Sequence, residues 1–514
     1  MKQRVADILV VLLAVAPSYS VYAAHWMQSE GATGFIQYDM PYYSANGREV
    51  FENGNGIAGA NPFDPQPDAP VVYAQWFPWL LGTAVTQVGI PPEVIFCSIG
   101  LIAGVITSWF TLLIVRSLLT HHEHERLVFL LAMWGGGALA LAQVVINFIT
   151  HEHPFHLILN FDLGGGWWFF SWGRNLLLPT EALYHAFVAA AWYCVIKRRE
   201  WTAVALVTIL AATHPFSGVQ HLLVMGSWNL FQLLVWKDRQ ALFRGLTLTV
   251  VLGLFLTYYF GFLESFPEHR DLRETWTLNW SVPTIVLLLA YGPVATLAAA
   301  RLLFQPRTRS PEIWFFVVAG LISFLLIKHD LFITPHQPLH FTRGYVWMPL
   351  FLLGLPVIQS LTNSMFHIQP MFLRVVCIAI SVPLACFDNI CFIGHSTQHP
   401  EPQLSLPTPV RDIFETLNEH EATGVFLCAD EDVSYLSATF TPVRPYFGHK
   451  FNTPDFAERK KQVLAWASGE PIDDWFNPID LILLRPEDPT DLLPSNNWQL
   501  LKESNNYRLY TQSP

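Results

Sequence analysis

Charge is what this sequence has least of. Asp, Glu, Lys and Arg make up 13% of its 514 residues, hydrophobic residues make up 52%, and the mean hydropathy is +0.33. Soluble domains carry about 25% charge, so the shortage points to a polytopic membrane protein. Further absences narrow the class. No glycine-rich phosphate loop of Walker or Rossmann type follows a strand, so no nucleotide site is expected. The six cysteines (Cys97, Cys194, Cys377, Cys386, Cys391 and Cys428) form no CxxC pair. Most lie in apolar stretches, where cysteine acts as a small hydrophobe, and a structural disulfide is not expected. There is no internal repeat and no low-complexity segment. A basic face is missing too. The segment Gly394–Pro514 holds 9 basic and 18 acidic residues, against 20 and 22 in the preceding 393, so the net charge of −11 sits mostly in the tail. That balance excludes nucleic acid as a partner.

What the chain has in quantity is apolar runs. A helix needs about 20 apolar residues to cross the hydrocarbon core. Eleven stretches qualify as candidates: Val5–Ala24, Pro92–Leu119, Leu127–Thr150, Leu176–Ile196, Trp201–Thr213, Phe216–Trp236, Leu242–Leu263, Val282–Leu303, Ile313–Ile327, Tyr345–Leu361 and Val375–Phe392. The fifth and ninth are short. The first is read as a retained helix, a cleaved signal peptide being the alternative.

Basic residues fall on alternate loops. Lys2, Arg4, Arg116, Arg126, Lys197, Arg198, Arg199, Lys237, Arg239, Arg244, Arg301, Arg307, Arg309 and Arg374 lie on one side; Arg48, Arg174, Arg270, Arg273, Lys328 and Arg343 lie on the other. The richer side is cytoplasmic by the positive-inside rule. The N-terminus is then inside and the tail outside, with Asp39, the loop His151–Asn175 and Arg343 on the outer side. Val71–Gly89 is apolar but carries Pro78, Gln75 and Gln87 and precedes Pro91–Pro92. It reads as a helix on the outer surface, with Trp76, Phe77 and Trp79 at headgroup level.

The expected fold is therefore an all-α polytopic domain over residues 1–393, with a large outer loop at 25–91, followed by a small extracytoplasmic α/β domain over 394–514. In the tail, Val410–Leu417 and Pro454–Ala467 read as helices, the second capped by Thr453. Gly424–Cys428, Asp480–Leu484, Trp498–Lys502 and Tyr507–Thr511 read as strands, with a turn at Ser504–Asn506.

The outer segments carry the chemistry. Asp39, in Gln37-Tyr-Asp-Met-Pro-Tyr-Tyr43, lies a dozen or so residues past a membrane helix. There it suits a general base acting on a hydroxyl; the plainer reading is a capping or turn aspartate before Pro41. The second loop offers His151, Glu152, His153, His156 and Asp162, with Trp167 and Trp168 presenting flat apolar faces to a sugar ring or anchoring the loop at the interface. His151, Glu152, His153, Asp162 and His340 are candidates for substrate or a divalent cation. Arg174 and Arg343 stand at the outer ends of apolar stretches. Arginine there is costly unless it faces a cavity or an anion, and its planar fork matches phosphate oxygens. His340 stands beside Arg343. His214 and His221 flank a tight Pro/Gly turn.

This layout resembles the GT-C membrane glycosyltransferases. The shared features are a basic N-terminus and first span, an aspartate early in the large first outer loop, and an aromatic-proline surface helix before the second span. Short basic inner loops and a soluble outer C-terminal domain complete it. The resemblance implies sugar transfer from a polyprenyl-phosphate donor to an extracytoplasmic lipid, glycan or protein, in the bacterial cytoplasmic membrane, by a hexosyl- or pentosyltransferase. It assigns the base to Asp39. It places His336-Gln-Pro-Leu-His-Phe-Thr-Arg-Gly-Tyr345 near the carrier phosphate, with Arg343 and Arg174 binding it. Gly448-His-Lys-Phe-Asn-Thr-Pro-Asp455 resembles a segment of the family's bacterial outer domains. A second-loop Asp-x-Asp is missing, which leaves metal use open. The alternatives are a transporter or flippase of lipid-linked glycans, which would need ionisable residues and broken helices within the membrane, and an inactive assembly subunit.

Overall fold

A computed structural model describes residues 2–119, 121–275, 280–304, 310–398, 404–470, 474–489, 492–493 and 497–512. Arg307 and Arg309 lie outside the described residues. Each of the eleven apolar stretches is helical. Prolines start several of them, as at Pro92–Leu118, Pro179–Ile196, Pro215–Trp236 and Pro311–Ile327. Proline suits a first helical position because the N–H it lacks would have no partner there. Among the described residues five helices are long and apolar enough to cross a membrane, or up to seven if each of two bent pairs counts as one span. Glu200–Ala211 and Pro311–Ile327 are shorter apolar helices. The protein is an integral membrane protein with a small sheet near its C-terminus.

The chain divides into two compact units. The first comprises Met1–Val21, Ile99–Leu256 and Leu278–His399. Two of its expected spans are broken. Glu125–Trp134 and Leu139–Ile149 meet at 65°, and Met371–Ala385 and Phe387–Gln398 at 66°. The first break follows from Gly135, Gly136 and Gly137. A Cβ on Gly136 would fall 2.9 Å from Cβ of Asp388, so only glycine lets the two breaks meet. The breaks then bind each other. Asp388 accepts from the backbone N–H of Leu139 (3.2 Å) and of Ala140 (2.9 Å), capping the second half-helix with negative charge where its free N–H groups point. Asn389 Nδ2 donates to the carbonyls of Trp134 (2.6 Å) and Gly135 (3.0 Å), which the glycine break leaves without a helical partner.

The second unit comprises Tyr22–Ser98, Thr257–Thr277 and Pro400–Pro514, so the tail folds together with the segment that carries Asp39. Its sheet contains β1 (Val425–Cys428), β2 (Arg444–Pro445), β3 (Ile479–Leu484), β4 (Trp498–Ser504) and β5 (Tyr507–Gln512), in the order β2-β1-β3-β5-β4. β1 is parallel to β2 and β3, while β5 is antiparallel to β3 and β4. The β4–β5 turn holds Asn505 and Asn506 at φ 46° and 67°, the left-handed pair that asparagine tolerates in a two-residue hairpin. Leu427, Ile482, Leu484, Val463 and Trp466 form the core between this sheet and helix Phe456–Ala467.

Two features of the tail differ from expectation. Thr453 does not cap the helix, which begins at Phe456; its hydroxyl instead accepts from the N–H of Gly448 at 3.2 Å. A helix at Glu431–Phe440 stands where none was expected, started by Asp430, whose carboxylate accepts from the N–H of Asp432 and Val433. Before the tail, Val71–Gly89 forms a short helix, Trp76–Gly82, continued by a π turn at Thr83–Gln87. It packs on helix Met40–Glu52 through glycine. A Cβ on Gly47 would lie 2.6 Å from the Pro78 carbonyl and 2.7 Å from the Gly82 nitrogen.

Candidate active site

Asp39 directly precedes helix Met40–Glu52, yet its side chain makes no capping hydrogen bond. The capping role that composition suggests is therefore not the one it plays. Its backbone N–H donates to Gln37 Oε1 (2.8 Å), and Gln37 Nε2 donates back to Oδ2 (3.4 Å). The segment around it is tied to the tail helix. Tyr435, fully buried, donates its hydroxyl to the Tyr38 carbonyl (2.5 Å) and accepts from the Tyr42 N–H (3.1 Å), bracketing Asp39 on both sides. Thr439 donates to the Pro41 carbonyl (3.1 Å), and Tyr38 OH accepts from the N–H of Lys450 (2.7 Å). Further along helix Met40–Glu52, Glu49 pairs with Arg444. Burial raises the phenols of Tyr38 and Tyr435 and pushes Tyr42 up to about 12, so all three stay protonated. The backbone is fixed, while the Asp39 side chain remains 57% exposed.

His449 approaches the same carboxylate, its Nε2 lying 3.3 Å from Oδ1. The turn that carries it is built locally. The His449 carbonyl accepts from the N–H of Asn452 and Thr453, and Asn61 Nδ2 donates to the Asn452 carbonyl at 2.6 Å.

In the first unit Arg343 is the centre of a second polar group. Its guanidinium pairs with Glu181 and donates from Nη2 to His340 Nδ1 at 3.0 Å. Its carbonyl accepts from Asn175 Nδ2 (3.2 Å) and faces His185 Nε2 (2.8 Å). The backbone at Arg343 has φ 33°, followed by Gly344 at 72°. A left-handed arginine costs of order 1–3 kcal/mol and is found where a side chain must be aimed. His340 lies between rings, 4.2 Å from Phe216 and 5.0 Å from Trp168, centroid to centroid. Burial, and then the Arg343 charge, hold its imidazole neutral by lowering its pKa. Since Nδ1 accepts, Nε2 carries the proton. His214 accepts from the Ser217 N–H through Nδ1 (3.2 Å) and is likewise held neutral by burial. His221 Nδ1 faces the Ser217 carbonyl at 2.9 Å.

Arg174 is placed differently. It is 1% exposed, and its guanidinium donates to Asn389 Oδ1 (2.6 Å), Asp162 Oδ2 (2.5 Å), the Gly166 carbonyl (3.2 Å) and the Asp388 carbonyl (2.9 Å). The Phe392 ring packs 4.5 Å from its Cζ. Its donors bind the loop to the broken helix. Asp162 is the counter-ion; burial raises its carboxyl and Arg174 opposes that rise. The second-loop candidates thus separate: Asp162 is buried with Arg174, whereas His151, Glu152 and His153 are exposed. No group of three or more His, Cys, Asp or Glu side chains among the described residues is placed to hold a metal ion.

Glu181, Asp388, Tyr435 and His185 escaped the sequence reading. For the first two a signal existed: each is a lone carboxylate inside an apolar stretch, where an ionisable residue needs a partner. Tyr435 and His185 give no such sign.

No family model matches the sequence, and no curated protein matches it. Among solved structures the chain is similar to the crystal structure of ArnT from Cupriavidus metallidurans bound to undecaprenyl phosphate. The identity is 12%, with 97% of each chain covered and a TM-score of 0.47. It is also similar to ArnT from the same organism in the apo state, at 11% identity, 99% and 98% coverage and a TM-score of 0.47.

Proposed function

We propose that this protein is a membrane glycosyltransferase that moves a sugar from a polyprenyl-phosphate donor to a hydroxyl on an extracytoplasmic lipid, glycan or protein. The observation that carries the reading is Asp39, an exposed carboxylate on a backbone pinned from both sides, excused from capping the helix it precedes. In the transfer the acceptor oxygen bonds to the anomeric carbon and the bond from that carbon to the phosphate oxygen breaks. Asp39 takes the acceptor proton. Polyprenyl phosphate leaves with the bonding electrons.

Arg343 would hold that phosphate. Glu181 and His340 use one donor each on Nη1 and Nη2, and a guanidinium has five. Its charge would stabilise the developing phosphate anion. Arg174 serves at one remove, by fixing the loop between Asp162 and Asn389. The reading takes the N-terminus as cytoplasmic and the C-terminal domain as extracytoplasmic, in a bacterial cell envelope.

A transporter or flippase of lipid-linked glycans is the second reading, and one observation favours it: two broken helices with Asp388 at their junction. Transporters use such breaks to line a binding site. The test is turnover of a panel of labelled polyprenyl-phosphate sugars by the full chain reconstituted in lipid with a mixed acceptor pool. Labelled sugar on an acceptor supports the transferase; label that crosses the bilayer still attached to its carrier supports the flippase.

A further inference from the structure

His449 and Asp39 form a directed pair. Nδ1 of His449 accepts from the backbone N–H of Phe451 (3.2 Å), a group that can only donate, and faces the Asn452 side-chain amide at 2.8 Å. With Nδ1 committed as an acceptor, the ring proton of the neutral imidazole sits on Nε2, which faces Asp39 Oδ1 at 3.3 Å. Aromatic rings surround the imidazole. Its centroid lies 4.9 Å from Tyr38, 5.3 Å from Tyr42, 5.6 Å from Phe63 and 5.3 Å from Tyr435, and its side chain is 3% exposed. The residue before it is fixed as well: a Cβ on Gly448 would meet Phe63 and Pro445 at 3.2 Å and Tyr435 at 3.3 Å. A buried imidazole in a single tautomer thus points its one N–H at a carboxylate that is more than half exposed.

We infer that His449 is the positioning residue for Asp39, holding Oδ1 by a hydrogen bond so that Oδ2, which Gln37 Nε2 approaches at 3.4 Å, is turned toward the acceptor hydroxyl. This rests on the glycosyltransferase reading and adds to it a role for the C-terminal domain, which supplies the orienting group 410 positions from the base. A base whose direction is fixed before the acceptor binds avoids the reorientation cost that a free carboxylate would meet at each turnover. His449 itself touches neither substrate; it acts through Asp39.

The test compares wild type, His449→Phe and His449→Gln as full chains in lipid. Phenylalanine keeps the ring packing and removes the donor, while glutamine can restore an N–H near Nε2. The expected result is a kcat about ten- to a hundredfold lower in H449F, as misplacing a reacting group by about an ångström produces. Acceptor KM and polyprenyl-phosphate Kd stay unchanged, and H449Q recovers most of the loss. Equal kcat in H449F and wild type, or an H449Q as impaired as H449F, overturns the inference. If no polyprenyl-phosphate sugar is turned over by wild type, the functional reading fails, and the pair is then judged by 15N NMR of histidine-labelled protein. A non-protonated Nδ1 with an Nε2–H resonance that moves in Asp39→Asn upholds the geometry. A protonated Nδ1, or an Nε2–H unmoved by D39N, rejects it.

Discussion

Arg174 and Asp162 form an ion pair, Nη1 to Oδ2 at 2.5 Å, in which each side chain is 2% exposed. Removing one partner strands the other charge away from water, which costs about 3–5 kcal/mol. Asp162→Ala should therefore lower the thermal midpoint of the purified protein sharply. Binding of polyprenyl phosphate per folded molecule should hold, because Arg174 spends its donors inside the protein. A D162A variant as stable as wild type would contradict the pairing.

Arg343 makes a different prediction. Its pair with Glu181 is buried as well, 9% and 7% exposed, so its loss should also cost stability, but per folded molecule it should weaken binding of the anion. A charge-assisted hydrogen bond is worth about 1.5–3 kcal/mol, roughly ten- to a hundredfold in Kd. Titration calorimetry of polyprenyl phosphate against Arg343→Ala should show that loss, with Arg343→Lys between it and wild type. Equal affinity in all three would remove Arg343 from the donor site.

How far the sequence could lead is clear from particular residues. The helices were legible because apolar runs of membrane length allow little else. The breaks were not: Gly135–Gly137 reads as a tolerated lapse in such a run, and what fixes it, Asp388, lies about 250 positions away. The helix Glu431–Phe440 is rich in serine, threonine and aromatics, which favour helices weakly. Its one local sign was Asp430 at the cap. Asp39 and Arg343 stand out by residue type and place, but nothing in the sequence marks His449 and Glu181 as their partners, because contacts at such separations leave no spacing to read.

His340 and His214 are held neutral by burial, whereas in the unfolded chain each takes up a proton near pH 6.5. Below that pH the unfolded state binds more protons than the folded one, so stability falls as pH falls. Each histidine contributes at most about 1.4 kcal/mol per pH unit. Thermal midpoints should drop between pH 7 and pH 5, with a shallower slope in His340→Gln. An unchanged slope in that variant would mean the His340 ring takes up protons in the folded protein as readily as in the unfolded one.

The two glycines that let helices Met40–Glu52 and Trp76–Gly82 touch carry a stability cost when filled. Gly47→Val should destabilise by about 1–3 kcal/mol, the usual penalty for overpacking, because its Cβ would strike the Pro78 carbonyl. Denaturant or thermal unfolding of the variant checks the size, and a neutral effect would show that the helices can part without loss.

The most direct measurement is kcat for sugar transfer by wild type and by Asp39→Asn, in lipid, with one labelled polyprenyl-phosphate sugar and its acceptor. Asparagine keeps the size and the Gln37 neighbourhood but cannot take a proton. General-base catalysis contributes about a hundred- to ten-thousandfold, so D39N should lose that much in kcat while binding polyprenyl phosphate as wild type does. Transfer at the wild-type rate by D39N would contradict the account at its centre.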